Sequence, residues 1–461
     1  MINDKRIDKD SLGEVEVPID AYYGPFTSRA KKQYKITNIP PHRNFIRAFV
    51  MIKKAAAITN KQLKALPVDI ADAIVQSCDE ILTGKLLDQF VIETLNSGAS
   101  TAFNMNCNEV IANKSLEILG KKKGDYNSIS PNDHVNMSQS SNDTTPTAIH
   151  LSVLMNCYEL LPILDNLIVS LSKKSIEFAE EIKIGRTHLM DAIPVTMGKE
   201  FGAYSFAIQK CKDLIIKSMD DLYFVALGGT AVGTGANTPK GYQELVVSNL
   251  AKISGYPLKP STNLFFSLQS KLEVANISST IKNLALELTK IANDIRLMAS
   301  GPVAGFSEIT IPAVHAGSSI MPGKVNPSLS ESLNMICFSV IGNDLAVSLA
   351  AQAGQFELNV MLGGIAKSLL DSTDMLINFL PVFTQNLIDG IQVNREKLQD
   401  HVQKSPVLVT LLNPIIGYLK AAEVYKEALS TNKSIKEVVL AKNLMTSEQF
   451  DKALSKEKIM S

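Results

Sequence analysis

Five cysteines (Cys78, Cys107, Cys157, Cys211 and Cys337) are scattered through 461 residues, odd in number and never spaced as CxxC. That pattern argues against a disulfide framework or a zinc site and suits buried thiols in a reducing compartment. Net charge is also missing, since 46 Lys and Arg balance 46 Asp and Glu. No global field then draws nucleic acid or an anionic membrane, so neither is an expected partner, and a charged ligand must be met locally. The one basic run, Lys121-Lys122-Lys123, precedes Gly124 and reads as a solvated turn. Six histidines show no paired ligand spacing, so no metal is expected. No segment reads as long and apolar enough to span a bilayer, and Met1 to Asp10 is charged, without the apolar stretch of a secretory signal. The composition predicts a soluble, cytoplasmic chain.

What is present is apolar material at helical spacing. Hydrophobic residues make up 45% and charged residues 20%, enough for a large interior, and the length implies two or three domains. From Leu151, apolar residues recur every three or four positions through Leu154, Tyr158, Leu161, Leu164, Ile168 and Leu171, with Pro162 expected to bend the run. A second run follows Pro194, and further helices are predicted near 265–299, 329–353 and 364–391. Long helices joined by short connections predict a mostly α fold built on an extended bundle. The divisions read as 1–140, mostly helical after a β-like start at Val15 and Val17, then 141–395, the central bundle, then 396–461, a small helical domain. Some helices carry apolar residues on more than one stripe, as at Leu284, Ala285, Leu286, Leu288 and Ile291. Either other subunits cover the surplus or one helix is surrounded within a single chain.

Four polar islands interrupt this pattern. They are Ser97 to Thr101, Ser138 to Asp143, Gly185-Arg186-Thr187-His188, and Gly317-Ser318-Ser319-Ile320-Met321-Pro322-Gly323-Lys324-Val325-Asn326-Pro327. Each taken singly could be a helix cap or a turn. Jointly, clusters of neutral donors suit a small carboxylate. The last island, bracketed by Gly and Pro, reads as a mobile loop that carries a serine, a lysine and an asparagine.

The loop from Gly317 to Pro327 resembles the signature loop of the fumarase/aspartase superfamily. The resemblance runs from Leu12-Gly13-Glu14 to Ile416-Gly417-Tyr418 and includes Asn104-Met105-Asn106, Asn108-Glu109-Val110, Pro131-Asn132-Asp133, Ser140 to Asp143, Gly185 to His188 and Gly233-Thr234-Gly235. It implies a three-domain, mostly α fold and a homotetramer with a central 20-helix core, each active site being shared by three subunits. It implies no metal and no cofactor, and a dicarboxylate substrate. By the same resemblance Ser318 is the general base, Lys324 and Asn326 hold one carboxylate, and Thr101, Ser140, Ser141 and Asn142 hold the other end. Thr187 and His188 complete the pocket, with Glu331 polarising His188.

Within the superfamily the group eliminated is ammonia or water. Tyr22-Tyr23-Gly24, the absence of tryptophan, Ser130, the run Ala292 to Ser300 and Asn359-Val360-Met361 resemble the ammonia-eliminating branch, which interconverts aspartate and fumarate. Ser141 and Gly229 resemble the water-eliminating branch, which acts on malate. Pro25-Phe26, Ser100, Phe103, Met190, Val303 and Leu362-Gly363-Gly364 depart from both patterns. They are read either as packing drift or as a pocket reshaped for a modified aspartate.

Overall fold

The structure, a computed structural model, describes residues 5–455. Met1 to Asp4 of the charged N-terminus and residues 456–461 of the predicted C-terminal appendage lie outside it. The described chain is mostly helical, and its strands form only four two-stranded sheets. By contacts it divides into two compact units: residues 1–161, 211–285 and 338–377 make the first, and 162–210, 286–337 and 378–461 the second. Both are discontinuous because the long helices Ser141–Glu177, Met197–Leu222, Leu272–Met298, Ser328–Gln352 and Leu362–Asn386 each have residues in both.

The Ser141–Glu177 helix, 37 residues and about 55 Å long, runs through Pro162 without ending. The predicted run 265–299 is instead two helices, Leu264–Gln269 and Leu272–Met298. Ser270 between them is extended, and its hydroxyl accepts the Leu272 amide at 3.3 Å, opening the second helix.

In the first unit, Lys5–Asp10 and Gly13–Pro18 form an antiparallel hairpin. The Arg43–Gln62 helix starts at His42, whose ring Nδ1 accepts the Asn44 amide at 3.1 Å. Its buried face meets the Ser97–Ile118 helix through stacked and edge-on rings: Phe103 lies 5.0 Å from both Phe45 and Phe49. Glu109, buried on the same helix, accepts the amides of Gly24 and Phe26 at 2.8 Å and of Thr27 at 3.0 Å, serving the start of the Pro25–Gln33 helix. Gly24 fits there because a Cβ would fall 2.2 Å from the Tyr126 hydroxyl.

In the second unit, Ile182–Thr187 pairs with Met190–Thr196, and Ile309–Thr310 pairs with Gln392–Val393. The C-terminal helices Tyr418–Thr431, Ile435–Ala441 and Ser447–Ala453 close on their own apolar cluster, which includes Leu412, Val424, Val438 and Phe450. Capping boxes at Ser434 with Glu437 and at Thr446 with Gln449 start the last two.

One expectation needs correction. Two helices, Ser141–Glu177 and Ser328–Gln352, are long and apolar enough by composition to cross a membrane. Their serines, asparagines and glycines interrupt the apolar run in sequence without lowering its average much. The first is 72% buried over its apolar window, as a core helix is, whereas the second is only 33% buried.

His150, buried on the Ser141–Glu177 helix, places Nδ1 3.0 Å from the Phe224 carbonyl. Burial pushes its imidazole down to about 4, with Lys271 acting the same way and the carbonyl opposing. On acidification the unfolded chain, with an ordinary histidine near 6.5, takes up a proton that the folded chain refuses. The stability due to His150 is therefore complete above about pH 6.5 and is lost as pH falls towards 4, by roughly 3 kcal/mol in all. Urea unfolding of His150→Gln should show a smaller loss between pH 7 and 4.5 than the unmutated protein, by about 2 to 3 kcal/mol. Equal losses in both would reject a buried neutral imidazole.

Candidate active site

In the first unit two helix starts carry the predicted polar islands. Before the Ser97–Ile118 helix becomes regular, Gly98, Ala99 and Ser100 all adopt left-handed backbone, with φ of 64, 53 and 57°. This turn presents Thr101, whose hydroxyl donates to the Gly98 carbonyl and lies 2.8 Å from the Ser141 hydroxyl. Asn142 donates its side-chain amide to the Ala231 carbonyl at 2.8 Å, and its backbone amide to the Ser140 hydroxyl at 3.2 Å. Thr101, Ser140, Ser141 and Asn142 are thus brought together, half-buried, as a patch of neutral donors. Asp143 anchors the patch from below, accepting the amides of Ser140 at 2.9 Å, Thr230 at 2.9 Å and Gly228 at 3.1 Å. Burial pushes its carboxyl up to about 6, and those three amides hold it from rising further.

In the second unit the register pairs Thr187 with Met190, so His188 and Leu189 form a two-residue turn. Both have positive φ, 57 and 59°, as a primed hairpin turn requires. Thr187 and His188 are exposed at its tip. Behind the tip, Arg186 donates to the buried Glu308 at 2.5 Å and lies over the Phe306 ring at 4.2 Å, while Lys183 pairs with Glu308 at 2.7 Å and Glu200 at 2.9 Å. Burial alone would push the Glu308 carboxyl up, yet Arg186 and Lys183 hold it below its ordinary value.

The Gly317–Pro327 loop closes on itself. The Ser318 amide donates to the Lys324 carbonyl at 3.3 Å, and Gly317 has φ 77° at a place where a Cβ would lie 2.4 Å from that carbonyl. Ser318 Oγ accepts two backbone amides, from Met321 at 3.1 Å and Ile320 at 3.3 Å. Lys324 and Asn326 line a cavity of about 1000 Å³ together with Asn293, Arg296 and Ser300. Arg296 stands 3.8 Å from Glu331. Among the described residues His188 makes no hydrogen bond or ion pair, so the expected contact with Glu331 is not made within one chain.

Sequence reasoning missed Lys53 and Glu308 as charged groups that frame these segments, and gave Arg186, within its island, no role of its own. A signal for Lys53 exists: it shares an arc of its helix with Phe49, Ala56 and Asn60, all buried. Among the departures, Phe103 is core packing, whereas Met190 and Val303 are exposed.

Known proteins bear on this arrangement. A family profile described as lyase matches residues 13–342, and another, the fumarase C C-terminus, matches 408–461. An aspartate ammonia-lyase of Bacillus subtilis is 46% identical over 97% of this chain and 94% of that enzyme. A class II fumarate hydratase of Thermosynechococcus vestitus is 45% identical over 98% of this chain and 97% of that enzyme. The crystal structure of a fumarate lyase:delta crystallin from Brucella melitensis superposes with a TM-score of 0.95, at 41% identity and 99% coverage of both chains. The matched profile and the fold are those of the lyase family. The chain belongs to the fumarase/aspartase superfamily.

Ser100 generates a prediction of its own. It is fully buried at φ 57°, and its hydroxyl has no hydrogen-bond partner among the described residues. Left-handed backbone costs a non-glycine residue about 1 to 2 kcal/mol, and an unpaired buried hydroxyl a similar amount. Glycine removes both, against about 1 kcal/mol of extra chain entropy in the unfolded state. Ser100→Gly should therefore stabilise the protein by about 1 to 2 kcal/mol in denaturant unfolding. Lower stability would mean that the hydroxyl or Cβ packs usefully.

Proposed function

We propose that the protein is an aspartate ammonia-lyase that interconverts L-aspartate with fumarate and ammonia. The observation that carries the chemistry is Ser318 Oγ, which accepts two backbone amides within a self-closed loop. A serine hydroxyl is a poor base in water. Amide donors aimed at its oxygen, with Lys324 on the same loop, favour the alkoxide when the site is dry. Ser318 takes the proton from the carbon next to one substrate carboxylate, which becomes a doubly charged aci-carboxylate. The C–N bond then breaks, and its electron pair leaves with ammonia as the double bond forms. Fixed donors that meet the developing charge are typically worth a few kcal/mol each. Lys324 and Asn326 serve one carboxylate, and Thr101, Ser140, Ser141 and Asn142 the other. Thr187 and His188 complete the pocket, with Glu331 of another subunit polarising His188.

The branch choice rests on the aspartase-like segments and on relatives carrying that name. Fumarate hydratase is the second reading, favoured by Ser141 and by hydratases at the same level of identity. A lyase for a modified aspartate is the third.

Assembly as a homotetramer, with each site shared by three subunits, is part of the proposal. Its support is the Ser328–Gln352 helix, where Met335, Phe338, Leu345 and Leu349 are 61, 58, 61 and 54% exposed. With Gly342 they fall at alternating intervals of three and four, the seam of a helix packed against other helices. A water-facing stripe of this size would be costly in a monomer. The proposed reaction needs no metal or organic cofactor, and the cytoplasm is the expected compartment.

Incubation with L-aspartate, and separately with malate, followed by ultraviolet absorbance of fumarate, separates the readings. Signal from aspartate alone is expected, and signal from malate alone moves the assignment to hydratase. Silence with both, in a folded protein, favours the modified substrate or a catalytically silent homologue. Ser318→Ala should lower kcat by several orders of magnitude with assembly unchanged, and normal turnover would unseat the base. Phe338→Glu with Leu345→Glu should dissociate the assembly in analytical ultracentrifugation, whereas an unaltered mass would show that this stripe is not the interface.

A further inference from the structure

Lys53 lies within the Arg43–Gln62 helix and is fully buried. Its Nζ donates to Asn104 Oδ1 at 2.7 Å, Asn136 Oδ1 at 2.9 Å and Gln139 Oε1 at 3.0 Å. All three ammonium protons meet neutral amide oxygens, and among the described residues no carboxylate forms an ion pair with it. Three titratable groups face it: Cys107 from the Ser97–Ile118 helix, Cys78 from Val68–Leu82, and Asp143 from the start of Ser141–Glu177. Burial pushes both thiols up, Cys107 to about 12, so they stay neutral. The Asp143 carboxylate is already engaged by three backbone amides. Lys53 is therefore a buried cation with no directly paired carboxylate, and Asp143, the one anion that acts on it, does so from beyond its shell of amide oxygens.

Its three acceptors all belong to the frame of the neutral-donor patch. Asn104 stands one helical turn beyond Thr101, and Thr144 reaches both Asn104 Oδ1 at 3.4 Å and the Ser140 carbonyl at 2.8 Å. Asn136 and Gln139 lie just before Ser140 in the chain, and the Asn136 side chain donates to the Gln139 carbonyl at 3.1 Å. Thr101, Ser140, Ser141 and Asn142 offer directed hydrogen bonds but no net charge. A carboxylate bound there would lack a cation, unless the one beneath supplies it.

We propose that Lys53 is a positioning residue that provides the fixed positive charge for the carboxylate bound at the Thr101–Ser141–Asn142 patch, acting through Asn104, Asn136 and Gln139 without touching the ligand. The inference rests on the dicarboxylate reading above. In an interior of low dielectric a charge that no carboxylate pairs directly reaches beyond its own hydrogen bonds, so a bound carboxylate adds to Asp143 as a second anion in its field. The same three bonds orient the amides that hold the 136–140 segment. Burial also pulls the ammonium down to about 8, so the charge is present at neutral pH and is lost above it.

Succinate, a saturated four-carbon dicarboxylate that cannot be turned over, is the probe, with binding measured by calorimetry on the full-length assembled protein. Asn104→Asp sets a carboxylate against Nζ at nearly unchanged shape, at the cost of the 3.2 Å bond from Asn104 to Asn136. Lys53→Met removes the charge outright. Each should weaken succinate about tenfold at pH 7, as expected for one buried charge at short range. Wild-type affinity should also fall as pH rises through about 8. That component should vanish in Lys53→Met, while groups elsewhere titrate alike in both proteins. A purely structural Lys53 would move neither the Asn104→Asp affinity nor the pH dependence. Should Lys53→Met not fold, Asn104→Asp and the wild-type pH series still decide. Wild-type affinity in a folded Asn104→Asp, with succinate binding flat from pH 7 to 9, would overturn the inference alone. Failure of the wild type to bind succinate or fumarate would overturn the dicarboxylate reading and the inference with it.

Discussion

The hydrogen bonds that close the Gly317–Pro327 loop set the geometry of everything chemical around it. The Ser318 amide reaches the Lys324 carbonyl, and this is possible only because residue 317 has no Cβ to strike that carbonyl. Within the closed loop the amides of Ile320 and Met321 turn back onto Ser318 Oγ. A glycine with left-handed φ at 317 therefore permits the closure that holds this serine. The lysine is carried along by the same closure, because its own amide completes a turn to the Met321 carbonyl. Sequence, backbone conformation and the setting of the serine hydroxyl are linked here without help from distant packing.

The other islands depend on buried charge. Glu308 binds Arg186 and Lys183 behind the Thr187–His188 turn, and its backbone accepts the Asn394 amide at 2.9 Å. Removing one partner from such a group leaves a charge in the interior, which costs far more than the pair is worth relative to an apolar replacement. The arrangement suits a turn that must hold a strained, exposed tip: Leu189 at φ 59° gains nothing from its own conformation and is kept there by the strands beneath it. Asp143 plays the same part beneath Ser140, where backbone amides take the place of side-chain cations.

Much of this was legible in the residues. The long helices follow from apolar spacing, and the polar islands stand out because serine, asparagine and threonine in runs do not belong on a buried stripe. The break at Ser270 was not legible, since apolar periodicity continues across it and only a local hydroxyl-to-amide bond marks the restart. Nor was Phe103: its place in a ring cluster depends on Phe45 and Phe49, more than fifty positions away. Glu308 and Lys53 were missed for a related reason. A charge inside an apolar run looks like a solvated interruption until its partners are brought in from other elements. The family resemblance supplied site roles that spacing could not, and it too is silent on these supporting groups.

The apolar stripe of the Ser328–Gln352 helix shows why composition alone misleads. By length and hydropathy this helix could cross a bilayer, and two-thirds of its apolar window is uncovered in one chain. Charged side chains are costly at membrane depth and are tolerated there only on an inner, paired face. Here Asp344 is buried, accepting the Ser278 hydroxyl at 2.6 Å and pairing with Lys282 at 3.1 Å. Asn343 donates to the Ser372 hydroxyl at 3.0 Å. The side covered within the chain carries these polar groups among the buried Leu333, Cys337, Val340 and Val347, and the uncovered apolar residues repeat with the spacing of helix-on-helix contact. Apolar residues on both the covered and the uncovered side are the observation on which the proposed helix-on-helix assembly rests.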